Sequence, residues 1–200
     1  KDNTVKHIII NHFEEIEKLR LSKYYQSDTS GIYKKAIEAL RNDKYVLFSG
    51  TACQIAALYS LTPEKDLSKL LTLDILCHGV SCKKVVDAYI NSEEKKFDKK
   101  IVKYQFRIKE SIGWHSGGST KMKLIFNDGT YYIHEKSTDA FFMAFNNNVA
   151  LRESCYQCKY CGTDRIADFT IADFWGVTEE RANKQRQHEG VSLLLSNSEK

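Results

Sequence analysis

The sequence has little proline, no long apolar run and no dense block of basic residues. Proline occurs once in 200 residues and hydrophobic residues make up 42%, a composition typical of a folded α/β or α+β protein rather than a disordered one. The longest apolar run, residues 70–76, is interrupted by Asp74 and is too short to span a bilayer. The net charge of +4 permits an anionic small ligand, but no Lys/Arg cluster accompanies it. We therefore expect neither a membrane span nor a nucleic-acid partner.

The sequence also lacks an initial methionine and an N-terminal segment with the pattern of a signal peptide. Its two methionines are Met122 and Met143, so we expect the chain to be an incomplete part of a longer protein. Six cysteines in an intracellular-looking chain of this size are better explained as ligands or free thiols than as a disulfide framework. We expect a single domain over residues 1–200, located in the cytoplasm.

Hydrophobic periodicity predicts alternating strands and helices in the first half of the chain. Apolar runs at residues 45–48 and 70–76 are typical of strands buried on both faces of a parallel sheet, and a helix separates them. Asp28 or Ser30 is the predicted N-cap of an earlier helix. The remaining predictions in this half are a strand at residues 5–10 and helices at residues 12–19, 32–40 and 83–95.

The second half has the pattern of an antiparallel sheet. Asp128-Gly129 predicts a hairpin turn between two short apolar runs, and residues 101–108 alternate like a strand with one exposed face. The other predicted elements are helices at residues 139–146 and 179–188 and strands at residues 168–173 and 191–195. The predicted fold class is α/β, with a mixed sheet, a parallel strand–helix–strand core, an antiparallel hairpin extension and helices packed on it.

The cysteines are the residues with the clearest chemistry. Cys155, Cys158 and Cys161 are spaced three residues apart, a spacing at which thiolates can bind one soft metal centre. Cys53 and Cys77 each follow a predicted parallel strand, and ligands of open α/β sheets bind beyond the carboxyl ends of such strands. Three interpretations remain open at this point: a structural zinc site, a dithiol/disulfide pair and an iron–sulfur cluster.

Four separated segments resemble, in order, the signature segments of the coenzyme F420 hydrogenase/dehydrogenase beta-subunit family. They are Ser-Gly-Thr-Ala-Cys-Gln at 49–54, Cys-His-Gly-Val at 77–80, Ser-Cys-Tyr-Gln-Cys at 154–158 and Asp-Phe-Thr-Ile-Ala-Asp-Phe-Trp-Gly at 168–176. Lys-Tyr-Tyr-Gln-Ser at 23–27, and Phe106-Arg107 with Gly113-Trp114, fit two further elements of the family pattern. The resemblance covers nearly the whole chain.

This resemblance implies an iron–sulfur flavoprotein oxidoreductase that passes electrons between a 4Fe-4S cluster, FAD and a partner. The partner would be the deazaflavin coenzyme F420 or another small electron carrier, together with a redox partner subunit or a ferredoxin-like domain. Carried over by position, the cluster ligands are Cys53, Cys77, Cys155 and Cys158, with Cys161 as an alternative ligand. The sequence departs from the family pattern in that Ala52 replaces a proline and Cys161 is an extra thiol. Cys82 replaces a residue of a Pro-Ser pair, so we treat Cys82 as incidental.

The expected flavin-binding residues are Lys23, Ser49, Gly50, Thr51, Gln54, Arg107, Lys109 and Trp114. A glycine turn before a helix exposes backbone N–H groups that bind anions, so residues 49–51 are expected to hold the pyrophosphate. Gln54 and Lys23 are expected to bind the flavin ring or its ribityl chain, with helix capping as the alternative role of Gln54. The basic side chains at positions 107 and 109 would neutralise phosphate, and Trp114 would stack on a ring.

Two other functions are compatible with the sequence. Bacterial relatives of this family occur with surface-polysaccharide enzymes, so an accessory role in pyruvyl or sugar transfer is the first alternative. A zinc-stabilised interaction module without catalysis is the second.

Overall fold

Most of the chain follows the predicted alternation of helices and strands. The computed structural model describes residues 4–62, 67–108, 121–175, 177 and 191–199. The α-helices described are α1 (Ile32–Arg41), α2 (Ala52–Ser60), α3 (Lys83–Phe97), α4 (Ala140–Asn146) and α5 (Glu153–Tyr156). The strands described are β1 (Val46–Thr51), β2 (Leu70–Ile75), β3 (Ile101–Ile108), β4 (Lys121–Phe126), β5 (Tyr131–Glu135), β6 (Phe169–Asp173) and β7 (Ser192–Ser196).

Contacts group the described residues into two units. The first contains residues 4–28, 79–108 and 121–156, and the second contains residues 29–62, 67–78, 157–175, 177 and 191–199. The expected single domain over residues 1–200 stays a prediction, because two such units can belong to one domain or to two.

The second unit is built on a four-stranded sheet with the order β1-β2-β6-β7. The first three strands are parallel, and β7 pairs antiparallel with β6. Helices α1 and α2 pack their apolar residues on this sheet. Helix α2 forms the crossover between the parallel strands β1 and β2, a connection that is usually helical. Leu58 of α2 is fully buried, which stabilises the fold by about 2 kcal/mol.

The first unit contains a separate antiparallel sheet with the order β3-β4-β5. Met122, Leu124 and Phe126 of β4 alternate with more exposed residues, so one face of this strand is buried. Helices α3 and α4 contribute apolar side chains to the same core. Gly129 has a φ of 83°, a left-handed conformation that glycine adopts without strain, and it forms the predicted hairpin turn.

The predicted fold class, α/β with a mixed sheet, is confirmed, with two differences in detail. The antiparallel member of the mixed sheet is β7, whereas the hairpin strands β4 and β5 belong to the other sheet. The strand predicted at residues 5–10 was wrong, since only an isolated bridge between Lys6 and Asp28 forms there. Ile8 and Ile9 are exposed, so the apolar run lacks the partner strand that would bury it.

The N-terminal helices also differ in detail from the predictions. The helix predicted at residues 12–19 is a short 3-10 helix, Phe13–Lys18, in which Phe13 is 80% exposed. The N-cap residue of α1 is Gly31, with a φ of 73°, rather than the predicted Asp28 or Ser30. The helix predicted at residues 179–188 lies outside the described residues. No helix in the described part of the chain is long and apolar enough to cross a membrane.

Candidate cofactor site

Two of the predicted ligand cysteines lie beyond the carboxyl ends of adjacent parallel strands. Thr51 and Ile75 are paired as the last residues of β1 and β2, so Cys53 and Cys77 each follow this pair by two residues. Both cysteines are exposed. The sheet therefore places two accessible thiols at the edge where ligands of α/β folds bind, as the sequence predicted.

The start of α2 forms a local hydrogen-bonded turn around Cys53. The N–H of Thr51 donates to Oε1 of Gln54 over 2.9 Å, which is half of a capping box. The hydroxyl of Thr51 lies 3.1 Å from Sγ of Cys53, so it can donate to a thiolate at that position. Gln54 thus has the capping role that was the alternative to flavin binding.

The glycine turn predicted at residues 49–51 is absent, and this expectation was wrong. Ser49, Gly50 and Thr51 continue β1, and Gly50 pairs with Asp74 of β2. A glycine in a strand does not expose the N–H groups of a turn, so the stated reason for a pyrophosphate site there does not hold. The assignment of these residues and Gln54 to the flavin stays a prediction.

Tyr33 of α1 is a neighbour of Cys53 that sequence reasoning missed. Burial raises the pKa of the Tyr33 phenol, although a hydrogen bond with Thr29 opposes the shift. A negative charge on Cys53 would raise the pKa of this phenol further. The ring stacks on Phe48 of β1 with 5.7 Å between the centroids. The phenol therefore stays protonated, and its position in an amphipathic helix gave no sequence signal other than that of a core residue.

The last two cysteines of the three-cysteine segment form one compact turn. The N–H of Tyr160 donates to Sγ of Cys158 over 3.4 Å, and Sγ of Cys161 lies 3.1 Å from the carbonyl oxygen of Cys158. A backbone N–H directed at sulfur stabilises a thiolate, which is the form that binds a metal. Cys155 belongs to α5 in the first unit, where its Sγ lies 3.9 Å from the carbonyl oxygen of Val80.

Arg165 connects this turn to β2 and β6. Its Nη1 donates to the carbonyl oxygens of Tyr160 and Gly162 over 3.0 and 3.4 Å. Its Nη2 donates to Oδ2 of Asp74 over 2.5 Å, and its Nε donates to the hydroxyl of Thr170 over 3.3 Å. The ion pair is buried, with 5% of the Arg165 side chain and 0% of the Asp74 side chain exposed.

The sequence did not predict this ion pair, although the position of Asp74 in an apolar run indicated that this carboxylate has a partner. Asp74 interrupts the apolar run that forms β2, and a carboxylate in a buried strand requires a charged or hydrogen-bonding partner. Nothing in the sequence pattern identified Arg165 as that partner.

The flavin residues expected in the first unit are only partly described. Lys23 donates to the carbonyl oxygens of Leu19, Arg20 and Leu21, which follow the 3-10 helix. Burial, and then the charge of Lys103, lowers the pKa of Lys23. Arg107 lies half-buried in β3. Lys109 and Trp114 lie outside the described residues, and all four assignments stay predictions.

Two of the expected ligand cysteines have a hydrogen-bonding neighbour at sulfur: Thr51 at Cys53 and the N–H of Tyr160 at Cys158. Cys77 follows the strand that pairs with the one before Cys53. Within the ranges that the structure describes, no three His, Cys, Asp or Glu side chains are grouped closely enough to hold a metal ion. The ligand set Cys53, Cys77, Cys155 and Cys158, with Cys161 as the alternative, stays a prediction.

Comparisons with known proteins agree with the resemblance seen in the motifs. The sequence profile for the C terminus of the coenzyme F420 hydrogenase/dehydrogenase beta subunit matches residues 43–200. No curated protein matches the sequence.

Among solved structures, a chain of the xenon-derivatised F420-reducing NiFe hydrogenase complex from Methanosarcina barkeri has a similar fold. Its TM-score is 0.53 at 16% sequence identity, and the match covers 96% of this chain and 64% of that chain. The present chain thus spans less than two thirds of that neighbour. With most of its length matched by the family profile, the chain belongs to the coenzyme F420 hydrogenase/dehydrogenase beta-subunit family.

Proposed function

We propose that this chain is an oxidoreductase domain that passes electrons between a 4Fe-4S cluster, FAD and a deazaflavin or ferredoxin-like partner. Family membership supports a redox role. The observation that carries the proposal is the pairing of Thr51 with Ile75, because it puts Cys53 and Cys77 at one sheet edge. When bound, the cluster would exchange single electrons, and FAD would exchange electrons or hydride.

The thiols are the residues through which the chain would hold the cluster. We propose Cys53, Cys77, Cys155 and Cys158 as ligands, with Cys161 as an alternative. The Thr51 hydroxyl near Cys53 and the Tyr160 N–H near Cys158 would stabilise thiolate charge. Hydrogen bonds to cluster sulfurs are one means by which proteins set reduction potentials, so both donors would tune the cluster.

We propose that FAD is bound by Lys23, Ser49, Gly50, Thr51, Gln54, Arg107, Lys109 and Trp114. For the residues near β1, the physical support is no longer a glycine turn. The support is the N-terminus of α2, which lies at the positive end of the helix dipole and therefore favours a negatively charged group. Lys23, with its pKa lowered by burial, would act as a hydrogen-bond donor to the flavin only after leaving the three carbonyl oxygens that it contacts.

The partners follow from the same proposal. The structural neighbour is part of an F420-reducing hydrogenase complex, which supports a redox partner subunit and coenzyme F420 as a small electron carrier. We propose a cytoplasmic location for the chain.

An anaerobic electron-transfer assay tests the proposal. The protein, reconstituted with iron, sulfide and FAD, is mixed with reduced ferredoxin, and the cluster and flavin absorbances are followed before and after addition of coenzyme F420. Bleaching of both chromophores, followed by reduction of the coenzyme, would support the proposal. A protein that binds FAD but exchanges no electrons with any carrier would contradict it, and transfer of a pyruvyl or sugar group would favour the accessory role instead.

A further inference from the structure

We infer that Arg165 is a positioning residue that fixes the Cys158–Cys161 turn relative to the strand leading to Cys77. The inference rests on the proposed function, since it assigns Arg165 a role in presenting thiols to the cluster. Its basis is the set of four acceptors that one guanidinium contacts: two carbonyl oxygens of the turn, the carboxylate of Asp74 and the hydroxyl of Thr170.

The two carbonyl oxygens lie on either side of Cys161 in the sequence. Tyr160 also supplies the N–H that donates to Sγ of Cys158, so holding the Tyr160 carbonyl orients the residue that contacts that thiol. A guanidinium suits this task because it is planar and presents five donors in fixed directions. A lysine ammonium has three donors on one atom and cannot reach acceptors that lie on separate sides of the guanidinium.

The other end of the contact is the sheet edge that carries the upstream thiols. Asp74 is three residues before Cys77 and pairs with Gly50 of β1 and Thr170 of β6. The ion pair is almost completely buried, so water does not compete for it and its geometry is restrained by packing. Holding ligands in place before the metal arrives lowers the ordering cost of binding, which is the principle of a preorganised site.

The test compares two variants of the second unit. Arg165→Lys keeps a positive charge opposite Asp74 but loses the contacts to the turn. Asn197→Ala is the matched control, because Asn197 donates to Ala167 and Thr170 in the same part of the unit and no described contact joins it to the turn. Both proteins are reconstituted anaerobically, and iron and sulfide content, the electron paramagnetic resonance spectrum and the midpoint potential are measured.

Arg165→Lys is expected to lose at least half of the bound iron or to show an altered spectrum and a shifted potential. Asn197→Ala is expected to keep the wild-type iron content, spectrum and midpoint potential, even if its thermal stability falls as much as that of Arg165→Lys. A spectrum, potential and iron content in Arg165→Lys equal to those of the wild type would overturn the inference. If Arg165→Lys does not fold, Asp74→Leu/Arg165→Met takes its place, since replacing a buried ion pair by apolar side chains is often neutral for stability.

A second readout separates failure of this inference from failure of the proposed function. In metal-free protein, the rate of iodoacetamide alkylation at Cys158 is measured by mass spectrometry relative to Cys82. The rate is expected to rise several-fold in Arg165→Lys and to stay unchanged in Asn197→Ala. If the wild type takes up no cluster but this rate rises, Arg165 positions the turn and the proposed function is wrong. If the wild type binds the cluster and neither readout changes in Arg165→Lys, the proposed function stands and the inference fails.

Discussion

Thr51 and Ile75 lie opposite each other at the ends of two parallel strands, and a cysteine follows each of them by two residues. The pairing of the two strands determines where Cys53 and Cys77 lie, because each cysteine comes only two residues after a strand residue that is hydrogen-bonded in the sheet. Rigid elements hold ligands more reliably than loops do, so these two cysteines are the structural basis of the proposed cluster site.

Serine replacement of either of these cysteines is expected to remove most of the bound iron and sulfide. Serine keeps the size of the side chain but replaces the thiolate that iron–sulfur clusters require. Cys82→Ser is the matched control, since Cys82 is the N-cap residue of α3 and is not one of the proposed ligands. Iron and sulfide assays after anaerobic purification check this prediction. Full iron content in Cys53→Ser or Cys77→Ser would show that the ligand assignment is wrong.

Asp168 is expected to contribute strongly to the stability of the second unit. Its Oδ2 accepts hydrogen bonds from the N–H and the hydroxyl of Thr72 over 2.8 and 2.7 Å, and its Oδ1 accepts from Ser198 over 2.8 Å. Asp168→Ala leaves buried donors without an acceptor and should lower the free energy of unfolding by roughly 3 kcal/mol. Ser198→Ala, which removes one donor near the surface, should lower it by about 1 kcal/mol. Urea unfolding measures both, and equal losses in the two variants would contradict this account.

Asp139 is expected to make stability depend on acid pH. Burial by itself raises the pKa of Asp139, but hydrogen bonds from His134, Tyr89 and the N–H of Phe142 outweigh it, so the pKa is held below its usual value. A carboxyl group with a lowered folded-state pKa contributes stability above its unfolded pKa, about 3.9, and loses it as the pH falls through the folded value.

Thermal unfolding followed by circular dichroism between about pH 5 and pH 2 tests this prediction. The wild type should lose stability across that interval. Asp139→Asn should be less stable at pH 7, because the ionised acceptor is gone, and its stability should fall less steeply with acid. Parallel pH profiles for the two proteins would show that another group is responsible.

A side chain at Gly79 is expected to be destabilising. Its φ is 141°, a conformation that other residues rarely adopt, and an added Cβ would lie 2.9 Å from Cδ1 of Leu151. Gly79→Ala should therefore lower the free energy of unfolding by about 1–3 kcal/mol. In a Leu151→Ala background, the part of this loss that comes from the clash with the Leu151 side chain should disappear. The part that comes from the unfavourable φ at position 79 should remain. Chemical denaturation of the four proteins measures the coupling, and an unchanged loss in that background would show that Leu151 is not the obstacle.

Features determined by local pattern were predictable from the sequence. The apolar runs in β1 and β2 and the helix between them indicated a parallel pair, and this was enough to place Cys53 and Cys77 at one edge. The Asp128-Gly129 turn indicated the hairpin for the same reason, since the turn type is set by the residues themselves.

Features that depend on distant partners were not predictable. Residues 5–10 have strand-forming composition, but a strand requires a neighbour, and only Asp28 pairs there. Gly50 is compatible with either a turn or a strand, and it is part of a strand because it pairs with Asp74 of β2. The partner of Asp74 lies 91 residues away in the sequence, so the burial of this carboxylate indicated that a partner exists but not which one.

The most direct test of the redox assignment is the cofactor content of protein purified without oxygen. Iron, acid-labile sulfide, zinc and released flavin are measured together with the absorption spectrum. We predict a brown protein with iron and sulfide in near-equal amounts, close to four of each per chain, and with bound FAD. A colourless protein that holds one zinc ion and no flavin would contradict it and would indicate a zinc-stabilised interaction module.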